Sequence, residues 1–339
     1  MKDFMKIIKL LLIIFLVSLL PLNSQGQKSP LQGVRGPVTR VEPTYWWTNM
    51  HNPDLQLMLH GKDISKSDVS INYPGITITD KKLTDNPNYI FLYININRET
   101  KAGFFNIELK NGKKKQLVKY ELKERVPNSA NRASFTEADN VYLLMPDRFA
   151  NGNLANDSIK GYIQAVNRSD LGKRHGGDME GIIQKIPYLA DLGITALWTT
   201  PFFDNNDTNY SYHHYGCSDY YKIDPRMANN VDYLRLSQTA ANYGIKMIID
   251  VVPNHCGGSH WWVKDIPAKD WFNTWPSYTS SNYRMTTWTD PHASETDRYR
   301  LTHGWFAPNM PDLNLSNSLL FDYLSQVYIF WIETAQIAG

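Results

Sequence analysis

Cysteine is nearly missing from this sequence: Cys217 and Cys256 are the only two among 339 residues. A disulfide framework therefore cannot carry the fold, which leaves one bridge or none, and no cysteine near the N-terminus offers a lipid-attachment point. An excess of one charge is missing as well. The 35 lysines and arginines nearly balance 33 aspartates and glutamates, so nothing marks nucleic acid or an anionic membrane as a partner. The apolar run at the start, Leu10 to Leu20, is too short to span a bilayer comfortably. Lys2, Lys6 and Lys9 precede it and "PLNSQGQ" follows, which is the layout of a secretory signal peptide over residues 1–26. The expectation is an exported protein, periplasmic or extracellular, with no stable membrane anchor.

A useful helical period is missing from about Leu31 to Arg125. There the period is two: "LQLMLHG", "YIFLYININ" and "FFNIELKNGKKKQLVKYEL" read as strands, with Asn111-Gly112 supplying a hairpin turn. A β-sandwich over about 30–125, immunoglobulin-like, follows. Residues 126–138 are polar and read as a linker.

Beyond the linker the grammar changes. "GIIQKIPYLADLGITALWTTP" reads as a helix, a Gly193 cap, and a buried strand over 194–200; Pro187 is expected to start or kink the helix. "VDYLRLSQTAANYGIKMIIDVVP" repeats the sentence through Gly244 and a strand over 246–252. Helix and strand units of this kind make a parallel sheet with helical crossovers. "SLLFDYLSQVYIFWIETAQIAG" is a third helix, with Ala338-Gly339 standing where the earlier glycine caps stood. A fourth strand is expected next, so the chain reads as the N-terminal part of a longer protein.

Ligands of parallel α/β folds sit at the carboxyl ends of the strands. Asp250, Asn254 and His255 fall there, and "NYSYHHYGCSDYYKIDP" brings His213, His214, Tyr215 and Asp219 toward the same mouth. For Asp250 alone, a structural acid paired with an arginine competes with direct chemistry. Aromatic residues are abundant, ten Trp and twenty Tyr, which suits either large cores or sugar-binding surfaces. Trp46 and Trp47 pose that choice in the β-domain, where core or interface is the expected role.

"DVVPNH" (250–255) resembles the first conserved region of the α-amylase family of glycoside hydrolases, and "MPDLN" (310–314) its short fifth motif. The form of the latter is that of the neopullulanase, cyclomaltodextrinase and maltogenic amylase branch. "YLLMPDRFANGN", "HGGDMEGIIQKIPYLADLGITALW" and "YHHYGCSDYYKIDP" match the same barrel in the same order, and the β-rich segment is similar to that branch's N-terminal domain. The resemblance implies a (β/α)8 TIM barrel from residue 139, with strands one to three in this chain, truncated before strand four, and a loop domain inserted over about 256–315. It also implies an α-glucan substrate (maltodextrin, cyclomaltodextrin or pullulan), its α-1,4 and, from the "MPDLN" form, also α-1,6 bonds cleaved with retention by two carboxylates. Those acids belong to later strands, so no catalytic acid is expected in this chain, and the 339 residues alone are expected to be inactive.

By match, Tyr215 is the platform under the −1 glucose, His213 lines the pocket, and His255 bonds the sugar hydroxymethyl group. Asp250 would fix an arginine of the fourth strand, and Asn254 would hold the loop. A structural calcium is implied at Asn151, Asn153, Asn156, Asp157, the Gly176 carbonyl and Asp178, where "NGNLAND" gathers short oxygen-bearing side chains. Homodimerisation is expected by analogy with the branch. A non-catalytic α-glucan-binding protein and a transglycosidase of the same fold are the competing functions. A metal hydrolase built on His255 and His260 is a weaker third.

Overall fold

The computed structural model describes residues 36–339; the expected signal peptide and the first positions of the expected β-domain lie outside the described residues. Eight strands fill 38–123: β1 (Val38–Glu42), β2 (Trp46–Trp47), β3 (Asp54–Gly61), β4 (Asp68–Ile71), β5 (Ile76–Lys82), β6 (Tyr89–Ile96), β7 (Gly103–Asn111) and β8 (Lys114–Lys123). They form two four-stranded sheets, ordered β1-β3-β6-β5 and β2-β8-β7-β4. The expected sandwich is present.

The β7–β8 hairpin obeys the alternation. Phe105, Ile107 and Leu109 face Tyr120, Val118 and Gln116 across the ladder, and all six are buried. The turn sits one residue later than expected: Asn111 still pairs with Lys114, and Gly112, with φ 58°, takes the left-handed first loop position. In β3 and β6 the alternation fails, because both faces are covered. Leu55, Leu57, Met58 and Leu59 are all fully buried. The outer face packs on the long helix described below, through Gln56 and Gln326, whose side chain both accepts from the Gln56 N–H (2.7 Å) and donates to its carbonyl (2.9 Å). Trp46 and Trp47 are buried, with Trp47 against Tyr45 and Phe330. They are core, not a sugar platform.

After the linker come β9 (Val141–Leu144), α1 (Pro146–Phe149), α2 (Met179–Asp191), β10 (Ala196–Thr199), β11 (Phe203–Asp204), β12 (Asp219–Ile223), α3 (Asn230–Asn242) and β13 (Lys246–Ile248). The irregular stretch that follows holds α4 (Trp261–Lys264), α5 (Thr286–Thr289) and α6 (Glu295–His303) before α7 (Ser318–Ala335). Strands β13, β10 and β9 are parallel and adjacent in that order. Gly193 and Gly244 cap their helices at φ 85° and 75°, each followed by an N–H (Ile194, Ile245) that returns to the helix.

Four expectations need correction. Pro187 lies inside α2, on its exposed side, where water reaches the carbonyl that the missing N–H leaves free. Strand β10 spans 196–199 rather than 194–200, with Trp198 40% exposed. Strand β13 stops at Ile248 rather than 252, and Val251 is exposed. Helix α7 ends at Ala335, and its left-handed cap is Gln336 (φ 54°). Gly339 has moved on: the Ala338 N–H bonds Met247 O (3.0 Å) and the Ile249 N–H bonds Gly339 O (2.8 Å), along the free edge of β13. The linker is polar as expected, yet it docks: Arg125 (2.7 Å) and Ser129 bond the buried Glu333 of α7.

Candidate active site

Asp250 follows β13, and the Tyr215 loop joins β11 to β12. The Tyr215 hydroxyl donates to Asp250 Oδ2 (3.0 Å), and the indole N–H of Trp198, at the end of β10, donates to the same oxygen (3.2 Å). Three segments thus meet at the carboxyl ends of two adjacent parallel strands. Burial pushes the Asp250 carboxyl up, while the Tyr215 and Trp198 bonds pull against it. Burial and then Asp250 raise the Tyr215 phenol to about 12, so it stays protonated and donates.

His213 and His255 complete the cluster. His213 Nδ1 accepts the Tyr215 N–H (3.0 Å), so its proton sits on Nε2. Asn254 Nδ2 donates to Asp312 (2.8 Å), which turns the Asn254 oxygen toward His255 Nδ1 (3.0 Å). His255 Nδ1 therefore carries the proton, and its buried Nε2, an acceptor, lacks a hydrogen-bond partner. Burial lowers both imidazoles to about 4, and the two rings are close enough to depress His255 further. Near neutral pH they are uncharged. An aromatic face, an N–H donor and a bare nitrogen acceptor side by side are the equipment for a polyhydroxylated, uncharged ligand.

Three contributors escaped the sequence reading. Trp198 lay in a stretch taken as a uniformly buried strand. Phe306 stacks on His255, with centroids 4.7 Å apart and planes at 21°. Asp312, within "MPDLN", is buried and accepts from Asn254 and from Asn273 (2.7 Å); burial raises its carboxyl to about 6. It anchors the Asn254–His255 loop.

Other expected members of the mouth are elsewhere. His214 is buried, with Nδ1 on Phe203 O (2.9 Å) and Nε2 beside Arg174 (3.1 Å). Asp219 turns to Arg40 of the β-domain (2.8 Å). Among the described residues Asp250 pairs with no arginine; its Oδ2 accepts from Tyr215 and Trp198 instead. His260 caps α4 by accepting the Trp262 N–H (3.1 Å) and packs on Trp262, and no cluster of three or more His, Cys, Asp or Glu exists among the described residues. Cys217 and Cys256 are buried and unbridged.

The 151–178 region forms a second constellation. Buried oxygens of Asn151 and Asn156 lack hydrogen-bond partners, and Asn151 Nδ2 donates to Asp157 Oδ1 (2.6 Å). Gly176 (φ 90°) lies against this group; a Cβ there would come within 2.6 Å of Asp157 Oδ1. Orphaned amide oxygens around one carboxylate fit a hard cation. Asn153 instead caps its own turn, accepting the Ala155 N–H (3.1 Å). Asp178 accepts four N–H bonds, from Gly152, Gly181, Asn153 and Asn156, so its first duty is to clamp the loop onto the start of α2.

Parallel strands with a side-chain cluster at their carboxyl ends fit one class of protein, the glycoside hydrolases, and the chain belongs to the alpha-amylase family: the family's catalytic-domain model, "Alpha amylase, catalytic domain", matches residues 143–339. The model "Cyclomaltodextrinase, N-terminal" matches residues 40–126. Among curated relatives, a cyclomaltodextrinase of Thermoanaerobacter pseudethanolicus is 33% identical over 210 residues, covering 59% of this chain and 33% of that protein. Neopullulanase 2 of Thermoactinomyces vulgaris is 35% identical over 205 residues, covering 57% and 32%. An Anoxybacillus alpha-amylase structure matches at 33% identity and a TM-score of 0.49, covering 59% of this chain and 39% of the other. The chain thus spans about a third of the length of the curated relatives it matches. No helix among the described residues is long and apolar enough to cross a membrane.

Proposed function

We propose that this chain is the N-terminal part of an exported α-glucan hydrolase that cleaves α-1,4 bonds of maltodextrin, cyclomaltodextrin or pullulan with retention. The observation that carries the reading is the meeting of Tyr215, Asp250, His213 and His255 at the strand ends. Tyr215 presents its ring to the glucose at the −1 position. Donation of its hydroxyl to Asp250 enriches the ring in electron density, which favours an oxocarbenium-like transition state above it. His213 offers an N–H to a sugar oxygen, and His255 Nε2 accepts from a sugar hydroxyl.

A retaining mechanism needs two carboxylates about 5–5.5 Å apart. Asp250, tied by two donors and bonded to no second acid, is a positioning residue. The nucleophile and acid/base are assigned to strands four to seven, outside this chain. Pairing of residues 338 and 339 with β13 supports a fourth strand at that place. The expected result is reducing-sugar release from maltodextrin by the full-length product and none by the 339-residue chain. Release by the isolated chain would reject this assignment. A full-length product that binds but never cleaves would mark a binding protein, and one yielding longer oligosaccharides a transglycosidase. A homodimer is proposed by analogy only.

The same reading assigns calcium to the 151–178 loop, held by Asn151, Asn156, Asp157 and the Gly176 carbonyl, with Asn153 and Asp178 at its margin. It would supply charge that cross-links the loop to the barrel. Calorimetric titration of metal-stripped protein is expected to show one calcium bound, and Asp157→Ala to abolish it. The absence of heat in the unmodified chain would remove the assignment.

A further inference from the structure

Asp219 points away from the pocket, yet its bond to the sandwich leads back to the site. Arg40 Nη1, on β1, donates to Asp219 Oδ2 (2.8 Å) and to the buried Glu42, whose other oxygen accepts the Tyr323 hydroxyl of α7 (2.6 Å). Trp261 covers the guanidinium, its ring centre 4.7 Å from Cζ. One cation thus serves two acids behind the site. Burial alone would raise the Asp219 carboxyl, but Arg40 more than offsets it and holds it below its ordinary value.

Asp219 opens β12, and its neighbours grip the His255 loop. The hydroxyl of the buried Tyr220 donates to the His255 carbonyl (3.2 Å), and the Gly257 N–H bonds Cys217 O (2.8 Å). Asp219 Oδ1 accepts the Tyr221 N–H (3.0 Å). Tyr215 stands two residues before Cys217. Residues 215–221 therefore carry the Tyr215 ring at one end, hold His255 in the middle and are anchored to the sandwich through Arg40. Docking of the two regions does not need that anchor. Asp265 accepts from His60, Asn86 and Asn88 of the sandwich, and Gln326 of α7 makes two bonds to Gln56.

We infer that Arg40 is a positioning residue: through Asp219 and Tyr220, the β-sandwich sets where the His255 imidazole stands in the pocket. The inference rests on the α-glucan reading for its substrate and adds to it a residue from outside the barrel. The planar guanidinium is fixed by two carboxylates and an indole face, so its place is well defined. Removing it leaves Glu42 and Asp219 to repel each other across the space it filled. Asp219 then shifts, and Tyr220 carries the shift to His255.

The test compares the full-length product with Arg40→Met, which keeps a stem against Trp261 and removes the charge, and with Arg40→Lys, which restores the charge. For maltotriose, KM is expected to rise about tenfold in Arg40→Met and about threefold in Arg40→Lys. A scaffold role alone would lower the thermal midpoint and the folded fraction and leave KM where it was. Arg40→Met with Glu42→Gln carries the same expectation without the repulsion, should the single variant fail to fold. An unchanged KM in the folded variant overturns the inference. A second readout needs no sugar: the ring-nitrogen NMR signals of His255, assigned with His255→Gln, are expected to move in Arg40→Met. If the unmodified product cleaves no α-glucan, the hydrolase reading falls and these signals decide. Unmoved, they overturn the positioning role as well; moved, they uphold it.

Discussion

Asp224→Ala destabilises the protein by about 3–5 kcal/mol, the scale for breaking a buried ion pair. Asp224 accepts from Arg226 Nε (2.9 Å) and Nη2 (2.7 Å), and neither residue has appreciable contact with water. Arg226 also donates to Gln164 O (2.9 Å) and to Asn205 O, so one guanidinium fastens two loops below the site. Removing the carboxylate strands that cation. Urea unfolding should show a lower midpoint with an unchanged slope. Replacing both partners by apolar residues, Asp224→Leu with Arg226→Met, should cost less than the single change, because no lone charge stays buried. Equal losses would reject the stranded-charge account. Burial alone would raise the Asp224 carboxyl, but the Arg226 bonds more than offset it and hold it well below the usual range. Its contribution is therefore present above the unfolded-state value and is lost only in strong acid, as pH falls through the folded-state value.

On the hydrolase reading proposed above, Asp250→Ala in the full-length protein is expected to lower kcat/KM by about 100-fold, and Tyr215→Phe by about tenfold, on the scale at which small misplacements of reacting groups count. Asp250 Oδ2 holds the Tyr215 hydroxyl and is itself held by the indole N–H of Trp198. Without the carboxylate, Tyr215 loses the bond that aims its ring, and the indole loses its acceptor. Tyr215→Phe keeps the ring and gives up the hydroxyl, hence the smaller effect. If Asp250 itself supplied the acid or nucleophile, its loss would cost several more powers of ten, and single-turnover kinetics would show no chemistry. A kcat/KM unchanged in Asp250→Ala would sink the positioning role.

The parts of the fold that follow from short-range rules were legible: the β7–β8 hairpin, the glycine caps of α2 and α3, and the order of parallel strands. Tyr215, Asp250 and His255 were readable because motif spacing and the strand-end rule placed them together. Side-chain direction was less accessible. His214 sits one residue from Tyr215, yet its own left-handed φ of 61° sends it into the interior. Asp219 reads as a pocket acid until Arg40, 179 residues away, claims it. Phe306 and Asp312 come from an irregular stretch with no period to follow, so their approach to His255 and Asn254 could not be read from spacing. Strands β3 and β6 broke the alternation because their second covering layer, α7, lies more than 220 residues further along the chain.

Asp265 shows how far the two regions have become one object. It accepts from His60 (2.9 Å), Asn86 (2.6 Å) and Asn88 (2.8 Å), three side chains of the sandwich, while Phe91 packs on Trp271 nearby. Trimming the gene to a minimal barrel would strip that carboxylate of its donors and bare a seam of indole rings. For anyone building chimaeras, the natural unit of exchange is therefore the sandwich together with residues 261–271 and α7, which covers its outer face.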